Sequence, residues 1–299
     1  MGKFYDAIMG LVVGDALGVP FEFRNRDTFK ATGMTGFGTY NQPPGTWSDD
    51  SSLTIATIES LVRNGKVDPH DLLYGFYSWL CWREFTPHGE VFDVGNSTHR
   101  AITRFMSGLH PDACGGTSER DNGNGALMRI LPMAFYPGTI WDAMKVASLT
   151  HNHAISNVAC VLYVCIAVNL WCGNKHRAVL DGFEMIDRVI NIPEVFSRLK
   201  ELDSLTRDEI KSTGFVVDTL EAALWCLLKT DSYRECVLMA VNLGGDTDTT
   251  AAVAGGLAGI LYGIGGEKGI PVEWIAQIAK LNEIIELCKQ FEERFELVV

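Results

Sequence analysis

Apolar residues recur at three- and four-residue steps along nearly the whole chain, and that regularity narrows the choice of fold more than any other feature. In "DDSSLTIATIESLV" the pattern runs through Leu53, Ile55, Ile58, Leu61 and Val62, behind Ser51 and Ser52, which suit a first helical turn. The stretches "DLLYGFYSWLCW", "IWDAMKVASLTH", "VVDTLEAALWCLLK", "YRECVLMAVNL" and "VEWIAQIAKLNEIIELCKQF" repeat it. Period-two runs between turn residues are scarce, and strand–helix alternation is missing. The expectation is an all-α protein, a compact multi-helix bundle in one domain over residues 1–299, since no serine-, proline- or charge-rich linker divides the chain.

Between the helical stretches lie long glycine- and polar-rich loops, "RNRDTFKATGMTGFGTYNQPPG", "EFTPHGEVFDVGNST" and "LHPDACGGTSERDNGNG". Irregular connections of that length inside a compact domain are usually either functional or disordered. The most charged segment, "RVINIPEVFSRLKELDSLTRDEIKSTG", reads as an exposed helical excursion.

A formal charge of −12 opposes nonspecific binding to nucleic acid, which depends on lysine and arginine neutralising phosphates. The eight cysteines contain no C-x-x-C pair and mostly sit in apolar runs, so they read as buried reduced thiols, which points to a cytoplasmic setting. The N-terminal stretch, with Asp6 and Asp15, makes a poor signal peptide. The apolar runs at 158–172 and 251–266 fall short of a membrane span, so no membrane association is expected.

Two segments concentrate acids and hydroxyls where an apolar helix begins. "GTWSDDSSL" carries Ser48, Asp49, Asp50, Ser51 and Ser52; "GGDTDTTAAVAGGLAG" carries Asp246, Asp248 and Thr249 behind Gly244 and Gly245. Each admits the ordinary reading of a helix cap. A cap, however, needs one such residue, and neighbouring carboxylates at the start of a buried helix repel one another and resist desolvation unless a positive charge lies between them. A hard divalent cation, Mg2+ or Mn2+, takes carboxylate and hydroxyl oxygens of this kind, whereas the lack of histidine and cysteine in both clusters argues against zinc. In "VVGDALGVPFEF" Asp15 reads as capping a turn and Glu22, on its own, as a carboxylate at a solvent rim.

Taken together, "GLVVGDALGVPFE", "GTWSDDSSLTIATIESL", "DVGNSTHRAI", "NGNGALMRILPMAF", "SLTHNHAIS" and "AVNLGGDTDTTAAVAGGLAGILYG" resemble, in order, the ADP-ribosylglycohydrolase family, which includes dinitrogenase-reductase-activating glycohydrolases and the ADP-ribosyl-acceptor hydrolases of animals. Residues 173–213 are the least family-like. The resemblance implies one all-α domain with a central cleft for two Mg2+ or Mn2+ ions, held by Ser48, Asp49 and Asp50 on one side and Asp246, Asp248 and Thr249 on the other. It brings Glu22 to the metals, against the rim reading, and makes Asp93, Gly95 and Asn96 a distal-ribose and catalytic loop. Asn124 and Gly125 become a diphosphate cradle and His151 a nucleotide contact, while His153 stays a polar turn residue. Ser48 stands where threonine is commoner, and Gly123 where serine is usual.

The implied activity is hydrolysis of the bond between ADP-ribose and an ADP-ribosylated protein or other acceptor, arginine favoured, with ADP-ribose as product. Asp93 is the expected base, Glu22 the alternative acid or base, and Asp50 part of the catalytic centre. Two rivals are a catalytically silent ADP-ribose binder and a haloacid-dehalogenase-like phosphatase, whose D-x-D-x-T pattern "DTDTT" matches. In that phosphatase group, however, the pattern follows an early strand.

Overall fold

Helix α1 (Lys3–Gly18) and helix α10 (Thr247–Tyr262) are buried on nearly every face, which is why neither shows an amphipathic stripe. They run antiparallel at backbone contact. A Cβ on Gly10 would lie 2.2 Å from the Gly255 carbonyl oxygen, one on Gly14 2.2 Å from that of Ala251, and one on Gly18 2.3 Å from the Asp248 Cα. Small residues on both helices permit this approach. Tyr233 and Tyr163 reach into the pair, their hydroxyls donating to the carbonyls of Gly10 (2.7 Å) and Val253 (3.0 Å).

The structure, a computed structural model, describes residues 2–297. Around the central pair stand α2 (Asp49–Asn64), α3 (Pro69–Trp82), α4 (Asn96–Met106), α5 (Ile140–Ser148), α6 (Ala154–Asn169), α7 (Lys175–Asp187), α8 (Val216–Lys229), α9 (Tyr233–Val241), the single turn α11 (Val272–Ile275) and α12 (Leu281–Arg294). Among the described residues the only β-type pairing is a few isolated bridges. The all-α single-domain expectation holds. Local chemistry sets the ends: Asp68 accepts from the backbone of His70 and Asp71 ahead of Pro69 to start α3, and Gly65, at φ +65°, closes α2.

Four sequence readings need correction. "VEWIAQIAKLNEIIELCKQF" is two helices, because Lys280 turns left-handed (φ +50°) between α11 and α12. The charged segment after α7 holds short 3-10 turns with Phe196, Leu199 and Leu202 buried, so it is part of the core wall. Cys81 and Cys172 are exposed, unlike the other six cysteines. Finally, the helical runs Lys3–Phe21 and Ala154–Cys172 do reach the length and apolarity of a membrane span, but 94% and 72% of them are buried within the fold.

Residues 19–48 between α1 and α2 and 83–95 between α3 and α4 meet at the Gly18 end of the central pair, while 107–139 between α4 and α5 runs from Asn124, beside Asp246 at that end, to Phe135, whose ring packs on Phe4 at the other.

Candidate metal centre

Two helices begin at the Gly18 end, and each begins with acids. In α2 the Ser48 hydroxyl accepts from the Asp50 amide as an ordinary N-cap. At α10 the N-cap is Asp246, yet its carboxylate makes no capping bond. Instead one oxygen accepts from the Asn124 side-chain amide at 2.8 Å. The cap reading therefore explains Ser48 and fails for Asp246.

The turn into α10 depends on two left-handed glycines, Gly244 (φ +73°) and Gly245 (φ +72°), packed so closely that a Cβ would meet the backbone of Arg26 and Ser212 at 2.6 and 2.3 Å. Phe23 and Arg24 clip onto this turn, the Phe23 amide donating to the Gly245 carbonyl (2.7 Å) and the Gly245 amide to that of Arg24 (2.9 Å). That clip carries Glu22 to the start of α10. Arg26 secures the clip by donating to the carbonyls of Leu243, Arg207 and Ile210.

Two acid triads result. Oxygens of Asp15, Asp50 and Asp248 lie within 4.8 Å of one another, and so do oxygens of Glu22, Asp93 and Asp248. Asp248 belongs to both. Asp49 lies beside Asp93 and Asp246 beside Asn124, on the flanks of the triads. The Thr249 hydroxyl reaches an Asp50 oxygen at 3.3 Å, closing α10 against α2. The six acids singled out from the sequence thus meet in space, together with Ser48 and Thr249.

Asp15 is the member that sequence reasoning misplaced. It caps no local turn: it lies within α1, and its carboxylate caps α2 from across the core. It accepts from the Ser48 amide (3.0 Å) and hydroxyl (2.9 Å) and from the Ser51 amide (3.0 Å) and hydroxyl (2.6 Å). With its oxygens engaged, Asp15 positions the start of α2. Tyr40, in the 3-10 turn Gly38–Tyr40, was also missed; it lies beside the carboxyls of Glu22 and Asp93 and lowers both, against the effect of burial. The one signal for Asp15 was a lone acid in an apolar run, and for Tyr40 there was none.

Burial raises every one of these carboxyls, and their mutual repulsion adds to it. Asp15 is pushed up to about 6, opposed by its bonds to Ser51 and Ser48. Burial, with the Asp93 carboxylate beside it, pushes Glu22 up to about 8. Asp49, Asp50 and Asp248 stand well above the usual carboxylate range, and Asp93 and Asp246 are also raised. Among the described residues no lysine or arginine stands among the charges beside them. One buried oxygen on each of Glu22, Asp50, Asp246 and Asp248 has no hydrogen-bond donor. The single Ser48 hydroxyl proton is shared between Asp15 and Asp50 oxygens, at 2.9 and 3.0 Å. Orphaned carboxylate oxygens, hydroxyl neighbours and no nitrogen or sulfur donor make a site that fits a hard cation.

A sign follows for stability. In the metal-free protein the fold holds carboxyl protons that the unfolded chain releases near pH 4, so this contribution is lost as pH rises through the folded values, toward about 8 for Glu22. A cation reverses the slope, because it displaces those protons. Thermal midpoints with excess Mn2+ and with chelator should therefore diverge as pH increases, the metal-induced gain being roughly 5 °C or more larger at pH 8 than at pH 6. A gain independent of pH would remove the shared proton-and-metal site. His151 does not intrude on this window, since burial pushes it down to about 3 and it stays neutral.

The remaining sequence-predicted residues fall around the centre. Asp93 is half-buried at its edge, and Gly95 and Asn96 are exposed at the start of α4. Asn124 does more than line a loop, since its side chain joins Thr219 to Asp246. A Cβ on Gly125 would come within 3.0 Å of His151 and Thr98, so glycine lets that loop lie flat on the histidine. His151 is 2% exposed behind the loop and shares a hydrogen bond with Thr150, which in turn accepts from buried Arg129. His153 caps α6.

The phosphatase rival does not survive this geometry: "DTDTT" opens a helix in an all-α fold and follows no strand. Comparison with known proteins agrees. The family model for ADP-ribosylglycohydrolase matches residues 1–298. ADP-ribosylarginine hydrolase Tri1 of Pseudomonas putida (strain GB-1) is 30% identical over 296 residues, covering 96% of this chain and 77% of the relative. ADP-ribosyl-[dinitrogen reductase] glycohydrolase of Rhodospirillum rubrum is 32% identical, covering 91% of this chain and 88% of the relative. A solved structure described as an ADP-ribosylglycohydrolase-related protein complex superposes with a TM-score of 0.82 at 29% identity, covering 98% of both chains.

Proposed function

The chain belongs to the ADP-ribosylglycohydrolase family, and on that premise we propose that it is a metal-dependent hydrolase releasing ADP-ribose from ADP-ribosylated protein, with arginine as the acceptor. The observation that carries the metal dependence is the pair of acid triads joined at Asp248, with orphaned oxygens on Glu22, Asp50, Asp246 and Asp248. Arginine is favoured because relatives at 30% identity are named for ADP-ribosylarginine.

Ser48, Asp49, Asp50, Asp246, Asp248 and Thr249, with Glu22, are the residues that would hold two Mg2+ or Mn2+ ions. Bound there, such ions supply a template for the ribose hydroxyls and polarise the attacking water. The chain's own groups do the rest. Cleavage at the anomeric carbon passes through an oxocarbenium-like state, which needs a base toward water and an acid toward the leaving group. Asp93, half-buried at the edge beside Tyr40, suits orientation and deprotonation of the water. Glu22 is the alternative acid or base; its raised value belongs to the metal-free protein, and a proton for the leaving nitrogen would have to sit on a Glu22 oxygen that no cation occupies. Gly95 and Asn96, next to Asp93 in the chain, line the ribose approach, and the loop at Asn124 and Gly125, backed by His151, is the diphosphate cradle, where the Asn124 amide is already donated to the Gly214 carbonyl (3.0 Å) and that of Gly125 is left for the anion.

The test is turnover of arginine-, serine- and nucleic-acid-linked ADP-ribose with and without chelator. The expected result is release from arginine, exceeding the other linkages by about a hundredfold, and abolished by chelation. Chelator-insensitive release would sink the metal reading. ADP-ribose binding without turnover on any linkage would replace it with the silent binder.

A further inference from the structure

In a chain of net charge −12, three arginines converge on one concavity outside the acid centre. A cavity of about 470 Å³ is lined by Arg100 and Arg104, one turn apart on α4, and by Arg120 from the loop after it, with Thr117, Ser118 and Asp121. None of its lining residues belongs to the acid triads or to the loop at 123–125.

Its one lining carboxylate is already committed. Asp121 accepts from Arg100 (2.7 Å) and Ser97 (3.1 Å) on one oxygen and from the Ser118 amide (3.1 Å) and hydroxyl (2.6 Å) on the other, bonds that hold it below the usual carboxylate range. Arg104 spends one nitrogen on the Cys114 carbonyl (2.9 Å). Arg120 makes no ion pair or side-chain hydrogen bond among the described residues. Three guanidinium groups against one saturated carboxylate leave a charge of about +2 facing the cavity. The wall is tightly built: a Cβ on Gly116 would fall 2.3 Å from the Asp121 Cγ, and one on Gly115 1.9 Å from the Ser148 carbonyl oxygen.

The cavity's wall leads by the chain into the loop beside the acids, and Gly116, next to the lining residues Gly115 and Thr117, pairs with His151 behind that loop. Asp121 is followed at once by Asn122, Gly123 and Asn124, and Asn124 touches Asp246. Ser97, which bonds Asp121, is the residue after Asn96. A ligand whose reacting end lies at the acids and whose body follows the 122–125 loop points its far end toward the arginines.

We propose that the Arg100–Arg104–Arg120 pocket binds a phosphomonoester carried on the far end of the substrate, outside its diphosphate. Arginine forks match phosphate oxygens in pairs, and beyond the Asp121 oxygen on Arg100 and the Cys114 carbonyl on Arg104 the three forks keep free N–H groups, all of those on Arg120 among them. For the substrate this rests on the hydrolase reading above, because in ADP-ribose the end remote from the scissile bond is the adenosine, and a phosphate on its ribose is the group that would reach the pocket. The same chemistry would accept free inorganic phosphate.

Calorimetry on the metal-loaded full chain separates the cases. ADP-ribose carrying a 2′-phosphate on the adenosine is expected to bind about tenfold tighter than ADP-ribose. Arg120→Gln and Arg104→Gln should each erase most of that difference while leaving ADP-ribose affinity within about twofold. Equal affinities, with no inorganic phosphate binding that depends on Arg120, would overturn the proposal. Arg120-dependent binding of inorganic phosphate with equal nucleotide affinities would overturn the substrate source and assign the pocket to free phosphate. Failure of ADP-ribose itself to bind, with Arg120-dependent phosphate binding intact, would sink the hydrolase reading and spare the phosphate site.

Discussion

Asp248→Asn is expected to abolish turnover, by on the order of a thousandfold, and to weaken Mn2+ binding by at least about a hundredfold, while making the metal-free protein more stable. The two effects have one cause. Asp248 is the member common to both triads, so losing its charge weakens both cation positions. In the metal-free state the same charge is buried among Glu22, Asp50, Asp246 and Asp93, all of which raise it. Asparagine relieves that repulsion and keeps the oxygen that accepts from the Thr249 amide at 3.0 Å, so the first turn of α10 survives. A rise of roughly 3 °C in the chelated protein, with the metal-induced gain lost, is the expected pattern in a thermal shift series. Full activity, or a destabilised metal-free form, would contradict the assignment.

Asp15→Ala should give the largest stability loss of any single acid in the cluster, about 3 kcal/mol. It removes the acceptor for four donors, the amides and hydroxyls of Ser48 and Ser51, at the buried start of α2. A midpoint lowered by roughly 6 °C is expected. Because Ser48, Asp49 and Asp50 ride on that turn, Mn2+ affinity should fall between ten- and a hundredfold as well. Asp15→Asn keeps one acceptor oxygen and separates the contributions: most stability should return, with metal binding still weak. Wild-type stability in the alanine variant would show that α2 starts without help from α1.

Both residues bear on how far the site was readable before the fold was known. Asp49, Asp50, Asp246 and Asp248 were legible because excess acid at the start of a buried helix is costly without a cation. Asp15 met the same criterion, a charge in an apolar run, but a single acid has a cheaper local explanation, and nothing in the chain says that its partner begins at residue 48. Asn124 was read for its backbone, since its contact with Asp246 spans 122 positions. Tyr40 sits in an irregular loop, where no periodicity reports orientation. Helices followed the same rule: α8 matches its apolar run end to end, while the break at Lys280 interrupts a pattern that continues through it. Local cost was visible; the identity of distant partners depended on topology.

The glycine contact between α1 and α10 has a mechanical consequence. In a core of interdigitated side chains, spacing drifts when a leucine becomes a methionine; two backbones in direct contact have no such freedom. Gly18 lies against the Asp248 Cα, so that contact acts as a gauge block for the distance from α1 to the pivotal ligand. The fixed jaw of the cleft is therefore machined from main chain, and the clip at Phe23 and Arg24 fastens Glu22 to the same block, so that only Asp93 reaches the ligands from a connection outside it, residues 83–95. Sequence drift in the outer helices therefore leaves the bite unaltered.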